Sequence, residues 1–425
     1  METIETEVER YARRNFVAFL WHALFLAFAS NFTDINTIIP TMMIKAGGTP
    51  VHLGILTAIM VGGASFMQLV FVFFLARKRE KKRYLLLGIY LRVSALLGLG
   101  FLLQYADRME SFLVIGFIFL LISIFSFSGS FAGISYTDIL GKSLLRAKRK
   151  TFFVLRQTLT STAVLFSAFL VRKLVRSYEY PINYSILFLS AGSLLFVASL
   201  GFWYIREKPT EFGSSGINEI SIVKAYKRIF KEDRNVRYFL LLINAGGLGF
   251  TVIPFYVSLA KESMGLSAKT VGNFLVLQII GMVISNILWN VLVKHKSYKG
   301  LVKVWAVIGF FVPLLALLLS GKLGVPANKS LYPFIFLISG FNISAYQIAV
   351  PGILLEISHE ENRVLYTALS GAGSITTIVV PLISGVLISM LGYRLVFVVT
   401  AFSVLSTFFF ATRLNCERPQ ISVTN

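Results

Sequence analysis

The sequence predicts an all-α, multi-pass membrane protein with twelve transmembrane helices in two pseudo-symmetric six-helix bundles. Three observations carry that reading. Of 425 residues, 56% are hydrophobic and only 14% charged, with a mean hydropathy of +0.74; a soluble domain has about a quarter of its residues charged. Apolar runs long enough to cross a hydrocarbon layer about 30 Å thick recur along the whole chain. The halves on either side of a hydrophilic stretch at 206–236 also share a residue pattern.

Taken in order, the first run covers 15–44. It follows an acidic start (Glu2, Glu5, Glu7, Glu9), outlasts the apolar core of a signal peptide and lacks a small-residue cleavage site, so it stays as helix 1. Helices 2 to 6 are read at 52–76, 84–105, 112–137, 152–171 and 182–205. Residues 206–236 open with Pro209 and Gly213-Ser214-Ser215-Gly216, a linker composition. Beyond it Ile222, Tyr226 and Ile229 share one helical face and Lys224, Lys227, Arg228 and Lys231 the other, which predicts a helix lying on anionic lipid headgroups. Helices 7 to 12 follow at 237–260, 270–293, 301–320, 331–355, 364–391 and 393–412. Lipid offers the backbone no hydrogen-bond partners, so each crossing must be helical. The expected organisation is an N-terminal bundle (1–205), a linker (206–236) and a C-terminal bundle (237–425).

The chain carries 41 Lys and Arg against 20 Asp and Glu, a formal charge of +21, and their placement decides what the charge means. Twenty-eight of the basic residues fall in segments on the side of both termini and ten in the opposite loops, while Arg92, Arg156 and Lys303 fall inside spans. This asymmetry puts both termini in the cytoplasm, with the protein in the cell (inner) membrane. The basic excess then reflects insertion topology and membrane lipids, not nucleic acid. One cysteine, Cys416, excludes a disulfide framework or a thiolate metal site. The four histidines form no ligand cluster and no catalytic motif occurs, so neither an enzyme nor a cofactor or metal is expected.

The two halves match locally. Thr37-Ile38-Ile39-Pro40 corresponds to Thr251-Val252-Ile253-Pro254 at an offset of 214; beyond a small insertion, at 218, Gly54 meets Gly272, Gln68 meets Asn286, the basic turn at Arg77 and Lys78 meets His295 and Lys296, and Asp138 meets Glu356. Twelve helices, both ends inside, two like halves and a long basic linker resemble the major facilitator superfamily over the whole length. The family's loop between helices 2 and 3 reads G-x-L-a-D-R-x-G-R-K. Here Leu75-Ala76 leads into Arg77-Lys78-Arg79-Glu80-Lys81-Lys82-Arg83, with Phe73, Arg77 and Glu80 in place of the first Gly, the Asp and the second Gly. Helix 4 lacks the intramembrane Arg and helix 5 the G-P-x-x-G-G element of the drug/proton antiporter branch. The resemblance implies a central cavity lined by helices 1, 4, 7 and 10 and opened to each side in turn.

Polar residues inside the spans fit that cavity. Ser30, Asp34, Thr37 and Thr41 share a face of helix 1 with Asn31 on its shoulder; helix 7 offers Asn244, Thr251 and Ser258, helix 10 offers Ser339, Asn342 and Tyr346, and helix 4 offers Ser126, Ser130, Gly133 and Thr137. For the helix 4 residues, close helix packing is an equal alternative. Asp34 is the only carboxylate well inside a span, which makes it the candidate for proton coupling or binding of another coupling ion, against a packing role through Asn31, Thr37 or a neighbouring helix. Pro40 and Pro254 should kink helices 1 and 7. Asp138 and Glu356, at the inner ends of helices 4 and 10, suit an ionic latch between the bundles, with ordinary interfacial charges an equal alternative. Arg92 reads as a snorkelling or structurally paired cation and His22 as a packing residue. The expectation is a secondary active transporter of a small-molecule substrate, a monomer working by alternating access and driven by the proton gradient through Asp34. An exporter or flippase of amphipathic, lipid-like molecules and a transporter-shaped receptor or scaffold stay open beside it.

Overall fold

The computed structural model describes residues 2–76, 78–144, 148–207, 230–265, 267–358, 366, 370 and 376–415, all of whose regular structure is helical. The amphipathic helix expected near 222–230 lies, but for Phe230, outside the described residues, as does most of the linker. Among the described residues ten helices are long and apolar enough to cross a membrane, and Thr376–Leu391 is a shorter apolar one. One of the ten, in Ala268–Leu319, is two crossings. Ser297 is non-helical (φ 63, ψ 174), and the chain reverses there. Asn286 pairs with Ser344 and Tyr298 packs on Gly352, numbers that rise together; Trp305 then meets Tyr346 and Gly309 faces Asn342, one number rising as the other falls. With both arms counted, the described residues hold eleven helices of membrane-crossing length, and the shorter Thr376–Leu391 stands where the remaining one is expected.

Helices 1 and 7 are interrupted at related places. Helix 1 runs Glu2–Ser30, tightens into a 3-10 turn at Asn31–Thr33, extends at Asp34 (φ −61, ψ 124) and resumes at Ile38–Lys45. Helix 7 runs Arg234–Thr251, breaks at Val252 and resumes at Ile253–Met264. Pro40 and Pro254 therefore sit in the first turns of the second segments, where a helix has no use for the missing N–H. In helix 7 the interruption is a single residue, Val252, still in the α region, whereas in helix 1 the chain unwinds over several residues. Helix 2 carries a third irregularity, a π turn at Ala58–Gly63 between Pro50–Thr57 and Ala64–Ala76.

A pair of asparagines that the repeat comparison did not single out shows the two-fold relation most directly. Asn15, in helix 1, donates to the carbonyl of Arg206 and accepts from its N–H (3.0 and 3.1 Å), tying the first helix of the N-terminal half to the end of the sixth. Asn235, at the start of helix 7, makes the same two bonds to Asn415 after helix 12 (3.1 and 2.9 Å). Both lie on the face where helix 1 begins and helix 12 ends, the terminal face.

On the opposite face the halves meet closely, helix 2 on helix 11 and helix 8 on helix 5. A Cβ at Gly54 would overlap the carbonyl oxygen of Pro381, one at Gly385 would lie 2.6 Å from the carbonyl of Pro50, and one at Gly272 would lie 2.9 Å from Cγ of Arg172. The repeat-related pair Gly54 and Gly272 thus performs one task in each half, close approach to the other. Gly54→Val should lower stability by about 1–3 kcal/mol through overpacking, read as a fall in Tm of the purified protein. Gly116→Ala, where a Cβ meets nothing within 4 Å, should not lower it.

Candidate functional site

The break in helix 1 leaves backbone donors that hydrocarbon cannot satisfy, and Asp34 satisfies them. Its Oδ1 accepts from the N–H of Asn36 (3.0 Å), the N–H of Thr37 (2.8 Å) and the Thr37 hydroxyl (2.7 Å). Its Oδ2 accepts from Gln278 Nε2 (3.2 Å) on helix 8, in the other half. The carboxylate therefore caps the outer segment of helix 1 and joins the two bundles.

Asp34 also borders a cavity of about 540 Å³ between helices 1, 2, 3 and 4, with Ser30, Gln68, Arg92, Ser126, Ser130 and Gly133 in its wall. A second cavity of about 560 Å³ shares Ser30, Arg92 and Gly133 and continues toward the terminal face past His22, Tyr136, Arg156, Gln157 and Thr160. On helix 4, Gly133, Thr137 and Gly141 are exposed one turn apart, and Cβ atoms at 133 and 141 would touch nothing within 4 Å. On helix 10, Gln347, Pro351 and Leu355 are exposed at the same spacing. With Gly54, Gly385 and Gly272 packed on the opposite face, the structure is closed there and open toward the terminal face.

The sequence-derived site residues divide. Ser30 and Asp34 line the cavity. Asn31 is buried and donates to Val164 O and Ser167 Oγ on helix 5, and Thr37 is spent on Asp34. Asn244 donates to Leu240 O and receives the N–H and hydroxyl of Thr376, fastening helix 7 to helix 11. Thr251 is buried, its hydroxyl on Leu248 O. Ser339 is buried, Asn342 sits beside Gly309, and Tyr346 packs edge-on to Phe250 and Trp305. Neither cavity includes these seven; Asn31 and Asn244 tie helices together, whereas Ser339 Oγ and Asn342 Oδ1 are buried without a hydrogen-bond partner among the described residues. Ser126 and Ser130 border the cavity yet donate to Ile59 O and Ala64 O (3.0 and 2.7 Å) at the π turn of helix 2, so packing and lining coincide.

The gating residues do not form a latch between bundles here. Asp138 pairs with Lys81 (3.0 Å) and Lys142 within its own half. Glu356 has a buried Oε2 without a hydrogen-bond partner among the described residues.

Arg92 corrects its sequence reading: it neither snorkels nor pairs with a carboxylate among the described residues. Its guanidinium lies 4.4 Å from the Phe125 ring centroid, against Gly129, inside both cavities. An Arg at the middle of a lipid-facing helix costs about 2.5–3.5 kcal/mol, and placement in a cavity avoids that. Arg156, 5.9 Å from the Tyr136 ring, lines the second cavity with Gln157 and Thr160, although the resemblance gives helix 5 no part in the cavity wall. The signal was present: an intramembrane Arg amid Gln157, Thr158, Thr160, Ser161 and Thr162 cannot turn every polar group to lipid.

Residues 238–424 match the family model described as Major Facilitator Superfamily, and over its length the chain is similar in structure to a mutant of the nucleoside transporter NupG: TM-score 0.70, 12% identity, covering 94% of this chain and 100% of that one. The fold is that of the Major Facilitator Superfamily. Other major facilitator structures it resembles are the inward-open xylose transporter XylE from E. coli (TM-score 0.67, 12% identity, 95% of this chain and 97% of that one) and a D-xylose-proton symporter (0.66, 11%, 94% and 97%). No curated protein sequence matches.

Asp34→Ala removes the cap and should destabilise by about 1–2 kcal/mol, whereas Asp34→Asn keeps an acceptor for Asn36 and Thr37 and should cost less. Thermal unfolding of the two variants side by side checks the difference.

Proposed function

We propose that the protein is a secondary active transporter of a small solute, working by alternating access of the cavity beside helix 1, with protonation of Asp34 coupled to the cycle. One observation carries the reading. The same carboxylate borders the cavity and receives the Gln278 bond that crosses between the halves where they are closed. A proton arriving from the cavity removes acceptor capacity from Oδ1 or Oδ2, loosening either the outer segment of helix 1 or the tie to helix 8. The two bundles, 1–205 and 237–425, rock about this contact, with the terminal face cytoplasmic as the basic residues require. In that orientation the described state is inward-facing.

Uptake into proteoliposomes of a solute that stabilises the purified protein, measured with and without an imposed pH gradient, tests the coupling. Wild type should accumulate solute only with the gradient. Asp34→Asn should keep exchange down the solute's own gradient and lose accumulation; unchanged accumulation by this variant would remove Asp34 from the coupling.

A further inference from the structure

Arg92 and Arg156 have no role in the coupling described above, and their surroundings set them apart from the other intramembrane cation, Lys303, which lies 5.6 Å from the Phe408 ring and borders neither cavity. Both arginines border the 560 Å³ cavity, one from helix 3 and one from helix 5. Its size falls in the range of small-molecule sites, about 300–1,000 Å³. Neither guanidinium is paired with a carboxylate among the described residues; each lies near an aromatic ring, and Arg92 Nε is buried without a hydrogen-bond partner. The nearby carboxylates are committed elsewhere: Asp34 accepts four hydrogen bonds, and Asp138 is held by two lysines. His22, in the same wall, has a buried Nδ1 that is also unpartnered. The cavity therefore presents two fixed positive charges and unused donors to whatever enters from the terminal face.

We infer that Arg92 and Arg156 anchor an anionic solute, a small carboxylate- or phosphate-bearing molecule, with Gln157 and Thr160 at its polar edge. The planar guanidinium forks match the paired oxygens of such groups. This deepens the transporter reading by naming its substrate class, yet the site itself stands on binding alone. Gly129 belongs to it, because a Cβ there would come within 3.3 Å of the Arg92 guanidinium carbon.

The test is thermal stabilisation of the purified full-length protein by succinate and by inorganic phosphate, each titrated against chloride at constant ionic strength, with uridine and D-xylose as neutral controls. Wild type should show a saturable rise in Tm with at least one anion and none with the neutral solutes. Arg92→Gln and Arg156→Gln should each weaken half-saturation about tenfold or more. Arg92→Lys, which keeps the charge, should lie between, and Lys303→Gln should match wild type. Should Arg92→Gln fail to fold, Arg156→Gln and Arg92→Lys still decide. No response to either anion, equal response in the glutamine variants, or stabilisation only by phosphatidylglycerol micelles would overturn the assignment. Anion binding without any exchange in proteoliposomes would leave this site intact and reject the transporter reading instead.

Discussion

Hydrocarbon leaves no polar group a partner outside the protein, and the break in helix 1 is where that constraint acts most strongly. A donor left unpaired in a dry interior costs about 1–3 kcal/mol, so unwinding at Asp34 is tolerable only because a single carboxylate oxygen collects Asn36 N–H, Thr37 N–H and the Thr37 hydroxyl. The second oxygen is left for Gln278 across the interface. Local backbone repair and contact between the halves thus meet on one side chain. The π turn of helix 2 is treated alike, with the helix 4 hydroxyls of Ser126 and Ser130 supplied to its carbonyls.

Around that point the two-fold relation distributes the work. Gly54 and Gly272 let helices 2 and 8 approach helices 11 and 5 on one face, while Asn15 and Asn235 close each bundle on the other. The halves are not equal in chemistry. The cavity with Arg92, Arg156 and Asp34 lies in the N-terminal half, whereas Asn244, Asn342 and Tyr346 of the C-terminal half are engaged in packing or set against neighbouring helices. One half presents charge to the cleft; the other supplies a firmly packed partner.

The architecture was legible because it follows from composition and from repeated apolar length. The repeat was legible at Pro40 and Pro254, although in helix 1 the sequence implied a bend where the chain unwinds: proline marks a discontinuity without saying how many residues it spans. The site was less legible. A polar stripe on a helical wheel names a face, not the neighbour that covers it, so Asn31 and Asn244 read the same as Ser30 although helices 5 and 11 cover them. Arg156 shows the converse, since only the packing of helix 5 against helix 1 reveals that it borders a space and not lipid.

The central claim is that closure on one face and opening on the other exchange around a fixed pocket. Distances between spin labels at Thr137 and Leu355, exposed on helices 4 and 10 toward the terminal face, and between labels at Lys45 and Leu323 on the opposite face report it directly, with Cys416→Ser as background. Across a change of pH the account predicts reciprocal motion, the first pair drawing together as the second separates. Two pairs that hold fixed, or that lengthen and shorten together, would contradict it.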